Sequence, residues 1–255
     1  MADNRYGLSD DILAVVNAHA ANAAAKGGDE KTALGKRLLD AVLGKREHEC
    51  YALIALGADL TEEVQDMPGH YTGYVGCTAY AVAVQQNLHN VALAIAASFT
   101  PGDEVKYSLN GWTPLIFAAA RGLTQHVAIL LDKGADINAA VSNPYDDGDL
   151  ELPLGATALI KAVGGAISER NPSTAHIATA MLLLNSGAAV TGPYMLEGWR
   201  EALFSHPHHL LSDLKGFVQD RLAGARGGRR RNRTKRSQKQ RRSQKSRKSR
   251  RRTIN

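Results

Sequence analysis

Gly111-Trp112-Thr113-Pro114-Leu115-Ile116-Phe117-Ala118-Ala119-Ala120, then Gly122, then Val127 to Leu131, then Gly134-Ala135-Asp136-Ile137-Asn138, reads as two short helices with the turns that end them. Thr113 can cap a helix whose first position is Pro114, where a missing N–H costs nothing and φ is already set. Ala118 and Ala119 allow a second helix to approach closely. Val127, Leu130 and Leu131 supply the apolar stripe of that second helix, and Gly134 suits the left-handed position that closes it. One such pair cannot bury both of its faces, so it needs stacked neighbours of the same shape.

The neighbours are present in weaker form. Copies start at Gly76-Cys77-Thr78-Ala79-Tyr80 and Gly155-Ala156-Thr157-Ala158-Leu159, where Thr78 and Thr157 repeat the cap. A further copy ends in Ala55-Leu56-Gly57-Ala58-Asp59-Leu60, and the fourth ends in Leu182-Leu183-Leu184-Asn185-Ser186-Gly187-Ala188. This pattern resembles the ankyrin repeat, whose period is about 33 residues. Gly76 and Gly111 are 35 residues apart and Gly111 and Gly155 are 44 apart, the excess falling in the Pro-, Asp- and Gly-rich stretch Ala140 to Leu154. A second excess of nine residues separates the helices of the fourth copy, which places an insert at Gly164 to Ser173.

The fold class that follows is all-α: an ankyrin-repeat solenoid of about four repeats with helical caps and a disordered basic C-terminal tail. Residues 1–30 are expected to form an N-terminal capping helix, with Ser9, Asp10 and Asp11 at its start and Gly27-Gly28 at its end. Residues 31–192 hold the repeats. Residues 193–225 read as C-terminal capping helices, Glu197 to Phe204 and Leu210 to Leu222, split by Ser205-His206-Pro207. Residues 226–255 are the tail.

Charge divides the 255-residue chain at the same place. Of its 31 Lys and Arg, 16 lie between Arg226 and Asn255, where there is no Asp or Glu. The first 225 residues are left with 15 bases against all 25 acids, a formal −10, while the last thirty carry +16. Like charges at that density, with almost no apolar side chain to offset ordering, predict disorder. Arg229, Arg230, Arg231, Arg233, Lys235, Arg236, Arg241, Arg242, Lys245, Arg247, Lys248, Arg250, Arg251 and Arg252 then serve as a nuclear or nucleolar localisation signal read by importin, as a non-specific contact to nucleic-acid phosphates, or as a solvated appendage. Sequence readout is not expected, because no aromatic side chain follows Phe217 to stack on a base.

Other chemistry has little to stand on. No run approaches the roughly 18 apolar residues of a membrane span and the start lacks an export signal, so the chain reads as soluble, without a membrane partner. Cys50 and Cys77 are too few for a disulfide framework or thiolate cage and fit a reducing compartment. His206, His208 and His209 lack the partners of a metal site, and Asp146, Asp147, Asp149 and Glu151 lack the spacing of a Ca²⁺ loop. No glycine cluster leads into a phosphate loop and no nucleophile elbow occurs. The expectation is a non-enzymatic chain with no cofactor, no metal and no catalytic residue.

In the ankyrin family, first helices and the turns between repeats make the partner surface. That resemblance implies a protein-binding site at Leu109, Asn110, Trp112 and Arg121 of the third repeat and Tyr74, Gln85 and Gln86 of the second, with Trp112 as an exposed anchor or packed on the neighbouring turn. The implied function is a scaffold or adaptor that binds an unidentified protein and is directed by its tail to the nucleus, nucleolus or another polyanionic surface. The alternatives are a nucleic-acid-associated protein whose array positions the tail, and a microbial or viral factor that binds a host protein.

Overall fold

The computed structural model describes residues 4, 6–65, 76–100, 112–141, 155–167, 172–190 and 197–223. Helix α1 (Asp10–Ala25) is followed by four pairs: α2 (Gly28–Leu43) with α3 (Glu47–Ala55), α4 (Ala79–Gln85) with α5 (His89–Ser98), α6 (Pro114–Ala120) with α7 (Thr124–Asp132), and α8 (Ala158–Ile167) with α9 (Thr174–Asn185). A last pair comprises α10 (Glu197–Ser205) and α11, residues 212–223.

The repeat is visible as recurring hydrogen bonds. The first helices α2, α4 and α6 each close with one bond from the turn back across five residues: Arg46 N to Ala41 O at 2.9 Å, Leu88 N to Ala83 O at 2.8 Å and Leu123 N to Ala118 O at 2.9 Å. Three second helices close the same way, Ala58 N to Leu53 O at 3.2 Å, Ala135 N to Leu130 O at 3.0 Å and Ala188 N to Leu183 O at 3.0 Å, while α5 ends in an extended Phe99 whose amide donates to Ala96 O at 3.4 Å. The five-residue closure requires a left-handed residue after the helix, which Gly57, Gly134 and Gly187 supply at φ 84°, 92° and 99°. At the starts, the hydroxyls of Thr78, Thr113 and Thr157 accept from the amides of Ala81, Ile116 and Ile160. Between repeats the chain turns back on itself, bridging Glu63 to Thr78 and Ala140 to Thr157 in antiparallel fashion.

First helices α2, α4, α6 and α8 pack in succession as one row, and second helices α3, α5, α7 and α9 as another. The core lies between the rows, where Leu38, Leu53, Ile54, Tyr80, Ile95, Leu115, Ile116, Ile129, Leu130, Leu159 and Leu183 are all fully buried. A solenoid of this kind is held by contacts between neighbours, so burying such side chains across each seam supplies its stability. At the far end α10 packs on α8, and Arg221 of α11 donates from Nη2 to Leu184 O at 2.6 Å, covering the last carbonyls of α9.

Helix α1 does not close the near end of the stack. It lies across the second row, against α3 and α5. His19 Nδ1 is 2.8 Å from Ile54 O, and Asn22 Nδ2 donates to Ala55 O at 2.8 Å, so α1 side chains reach the last carbonyls of α3. Leu8, Ile12 and Val16 are buried beneath it. The approach at Gly57 is close enough that a Cβ there would lie 2.6 Å from Ala23 N. Ahead of the helix, Gln125 of α7 donates to Tyr6 O at 2.6 Å, so the N-terminal segment reaches the third repeat.

The fourth repeat also departs from the expected layout. Gly164 and Gly165 belong to α8, which continues to Ile167, so the insert between helices begins after that residue. Gly165 is where it is because the imidazole of His176 occupies the space a side chain would fill: an added Cβ would stand 2.2 Å from His176 Cδ2. His176 Nε2 donates to Ala120 O at 3.0 Å, and Nδ1 is 2.9 Å from Ser173 Oγ. The ring thereby ties α9 to the end of α6 across the seam between repeats.

Candidate functional site: the first-helix face

A side chain can meet a partner on the first row only if the core has not taken it. On α4 the core takes Ala79 through Val84, and Gln85 and Gln86 remain half-buried at its end. On α6 it leaves Phe117 and Ala120 half-buried and Arg121 exposed at the C-cap. On α8, Lys161 and Gly165 are half-buried while Gly164 is exposed, with no atom within 4 Å of where its Cβ would be. These residues come from three successive repeats, and of them Gly165 faces His176 of α9.

Trp112 is only 8 % exposed, which corrects the reading of it as an exposed anchor. Its ring is tilted on Phe117 with centroids 4.8 Å apart, and Lys161 Nζ lies 5.2 Å from its centre. The physical reason is area: an indole beside a turn has more apolar surface than the turn can leave in water, and a ring plus a cation from the next repeat cover it. The indole Nε1 and Gln86 Oε1 are buried without a hydrogen-bond partner among the described residues. Removing Trp112 therefore perturbs the stack first.

On this face Phe117 and Lys161 meet over the covered Trp112, Arg121 and Gly164 follow about one turn on along α6 and α8, and Gln85 and Gln86 belong to the repeat before. Arg121 is exposed, while Gln85 and Gln86 are half-buried. Leu109, Asn110 and Tyr74 lie outside the described residues, as do the basic residues of the tail from Arg229 to Arg252. Sequence reasoning missed Phe117 and Lys161. Phe117 stands three residues after Pro114, on the turn of α6 that the flanking alanines leave open; Lys161 occupies the matching place in α8 after Thr157.

The titratable groups in the core are set for packing. Burial raises the Cys50 thiol to about 12, with Glu49 adding to it, and raises the Cys77 thiol to about 11. Both therefore stay protonated and unreactive at neutral pH. His126 of α7 is buried with its Nδ1 3.3 Å from the Tyr80 hydroxyl, and burial lowers it to about 4, helped by the charge of His89. Tyr80 is in turn tilted on Phe99 at 6.0 Å. His206, His208 and His209 serve their own turn: His208 N donates to His206 Nδ1, Leu210 N donates to His208 Nδ1, both at 3.3 Å, and the last two rings stack at 4.7 Å. Among the described residues no three His, Cys, Asp or Glu side chains gather in a metal-binding group.

Helix pairs stacked in two rows, with an accessible face running across several repeats, define a repeat solenoid. The model for ankyrin repeats (three copies) matches residues 17–141, and the chain is an ankyrin-repeat protein. No curated protein matches it closely. Ankyrin repeats mediate protein–protein contacts, so this array is a protein-interaction module. Among the described residues no helix is long and apolar enough to cross a membrane.

Proposed function

We propose that this protein is an adaptor. Its ankyrin array holds a protein partner on the first-helix face around Arg121, Phe117 and Lys161, and its polycationic tail carries that partner to the nucleus, the nucleolus or other polyanionic surroundings. The observation that carries this reading is the charge division, a formal −10 over residues 1–225 against +16 over the last thirty. A like-charged block with almost no apolar residues cannot contribute to a core, and its energy of interaction lies with anions outside it. Exposed Arg and half-buried aromatic side chains are the types most often found as interface anchors, and the patch has one of each, Arg121 and Phe117.

The test compares the full chain with one ending at Ala225 for cellular distribution and for proteins recovered with each. The adaptor reading expects the truncated chain to lose its localisation and keep its protein partners, and Arg121→Ala with Phe117→Ala to lose partners while keeping localisation. Unchanged distribution without the tail, or unchanged partners after both substitutions, refutes the corresponding half.

A second reading, nucleic-acid association through the tail, is favoured by the 16 bases themselves. Meeting about six to ten phosphates, the tail would lose on the order of 10³ to 10⁵ in affinity between 50 and 200 mM salt. Weak salt dependence of duplex binding removes it.

A further inference from the structure

The second row is covered unevenly. Over α3 and α5 lies α1, and beneath it α5 is buried on every side, from Val91 through Ser98. Beyond Tyr6, where the N-terminal segment meets α7, no helix among the described residues lies over the same row. A groove of about 430 Å³ opens there between α7 and α9, walled by Tyr6, Ala128, Leu131, Ala135, Ile137 and Leu182, with the exposed Asp132 and Ser186 at its rim. Of these, Ala128, Leu131 and Leu182 are half-buried, and Ala175 and Ala178 of α9 are exposed. Apart from His176, which faces the seam, α9 has no ionisable residue along its length, Thr174–Asn185. A helix on the surface of a soluble array normally turns a charged face to water.

From this we infer that the groove between α7 and α9 is a docking site for one amphipathic helix of a partner protein, laid in line with α1 on the same row. The occupant's chemistry is given by α1 itself. On the neighbouring repeats the surface of second helices is closed by a helix with Ile12 and Val16 at four-residue spacing behind Leu8, an alanine-rich second half, and its acids, Asp10 and Asp11, confined to the first turn. The groove continues that interface without a break at Tyr6, and its small side chains, Ala128 and Ala135, let a second backbone approach as Ala23 approaches Gly57. A second copy of the whole array is the poorer fit. Two helices of 9 and 12 residues offer a face of roughly 300 Å² at 1.5 Å rise per residue, well short of the about 800 Å² per partner of a stable dimer. A single helix laid into a groove needs less.

The site lies on the opposite row from the first-helix face, so it stands or falls separately from the adaptor reading. The test uses the full chain and, as probe, a fluorescently labelled peptide of α1 sequence, residues 8–25, followed by anisotropy. Saturable one-to-one binding is expected, weakened on the order of tenfold or more by Ala128→Arg and by Leu182→Lys, and unchanged by Gln85→Arg on the other row. Thermal melts establish that each variant is folded, and two groove substitutions on different helices guard against the loss of either one. Absence of saturable binding to the wild-type chain overturns the proposal. So does binding that both groove variants retain, which would place the peptide on α3 and α5 in exchange for α1, or on the tail.

Discussion

Two adjacent glycines in α8 should respond to alanine with opposite signs. Alanine in a helix interior is favoured over glycine by about 0.5 to 1 kcal/mol, because glycine loses more backbone freedom on folding. Gly164→Ala places its methyl where no atom lies within 4 Å and should gain that amount. Gly165→Ala places its methyl 2.2 Å from Cδ2 and 2.5 Å from Nε2 of His176. The ring cannot move away freely, since Nε2 is bonded to Ala120 O at 3.0 Å and Nδ1 lies 2.9 Å from Ser173 Oγ. Overpacking costs about 1 to 3 kcal/mol and a lost hydrogen bond about 1 kcal/mol, against the alanine gain of under 1, so the variant should be destabilised by about 1 to 3 kcal/mol. Urea unfolding followed by far-UV circular dichroism gives both values. The cycle is closed with His176→Ala, in whose background Gly165→Ala should become neutral or stabilising. If Gly165→Ala stabilises the wild-type chain as much as Gly164→Ala does, the tie between the third and fourth repeats is not as described.

Because His126 takes up its proton at about 4 when folded but near 6.5 when unfolded, its contribution is complete above pH 6.5 and is lost as pH falls toward 4. At about 1.4 kcal/mol per pH unit the loss is on the order of 3 kcal/mol, and unfolding curves across that window should be flatter for His126→Gln than for the wild type. Gly57→Ala, at φ 84° and 2.6 Å from Ala23 N, should cost about 2 kcal/mol or more and raise amide exchange in α1, a result that normal α1 protection would contradict. With thiols at about 12 and about 11, Cys50 and Cys77 should stay unmodified by a thiol-specific disulfide reagent at pH 8 until denaturant is added. Rapid labelling of the native chain would show that one of them is accessible.

Local signals carried the sequence reading. Thr78, Thr113 and Thr157 act within three residues of themselves, and Gly57, Gly134 and Gly187 meet a backbone requirement that any helix end of this kind imposes. The position of α1 depends on a surface contributed by two other repeats, and its own pattern fitted a terminal cap equally well. A signal was nonetheless present in α5, whose sequence His89-Asn90-Val91-Ala92-Leu93-Ala94-Ile95-Ala96-Ala97-Ser98 has no polar side to give to water and so demands cover on both sides. Trp112 failed as an anchor for a similar reason. Its neighbour Lys161 lies 49 residues on, beyond a loop whose length bears no relation to the register it produces. The place of Gly165 was hidden because only the folded seam shows that an imidazole fills the space beside it.

The strap formed by α1 changes how the array should come apart. In a simple row of repeats each unit holds only its neighbours, and either end can fray first. Here one helix grips the first two repeats and, through Tyr6 and Gln125, touches the third, so those three open or stay shut together. Loosening is left to the opposite end, where α10 and α11 shield a single repeat and the basic segment begins. The molecule is thus a rigid block grading into a yielding one, and tension applied through a partner held at the tail would be felt by the fourth repeat before it reached the rest.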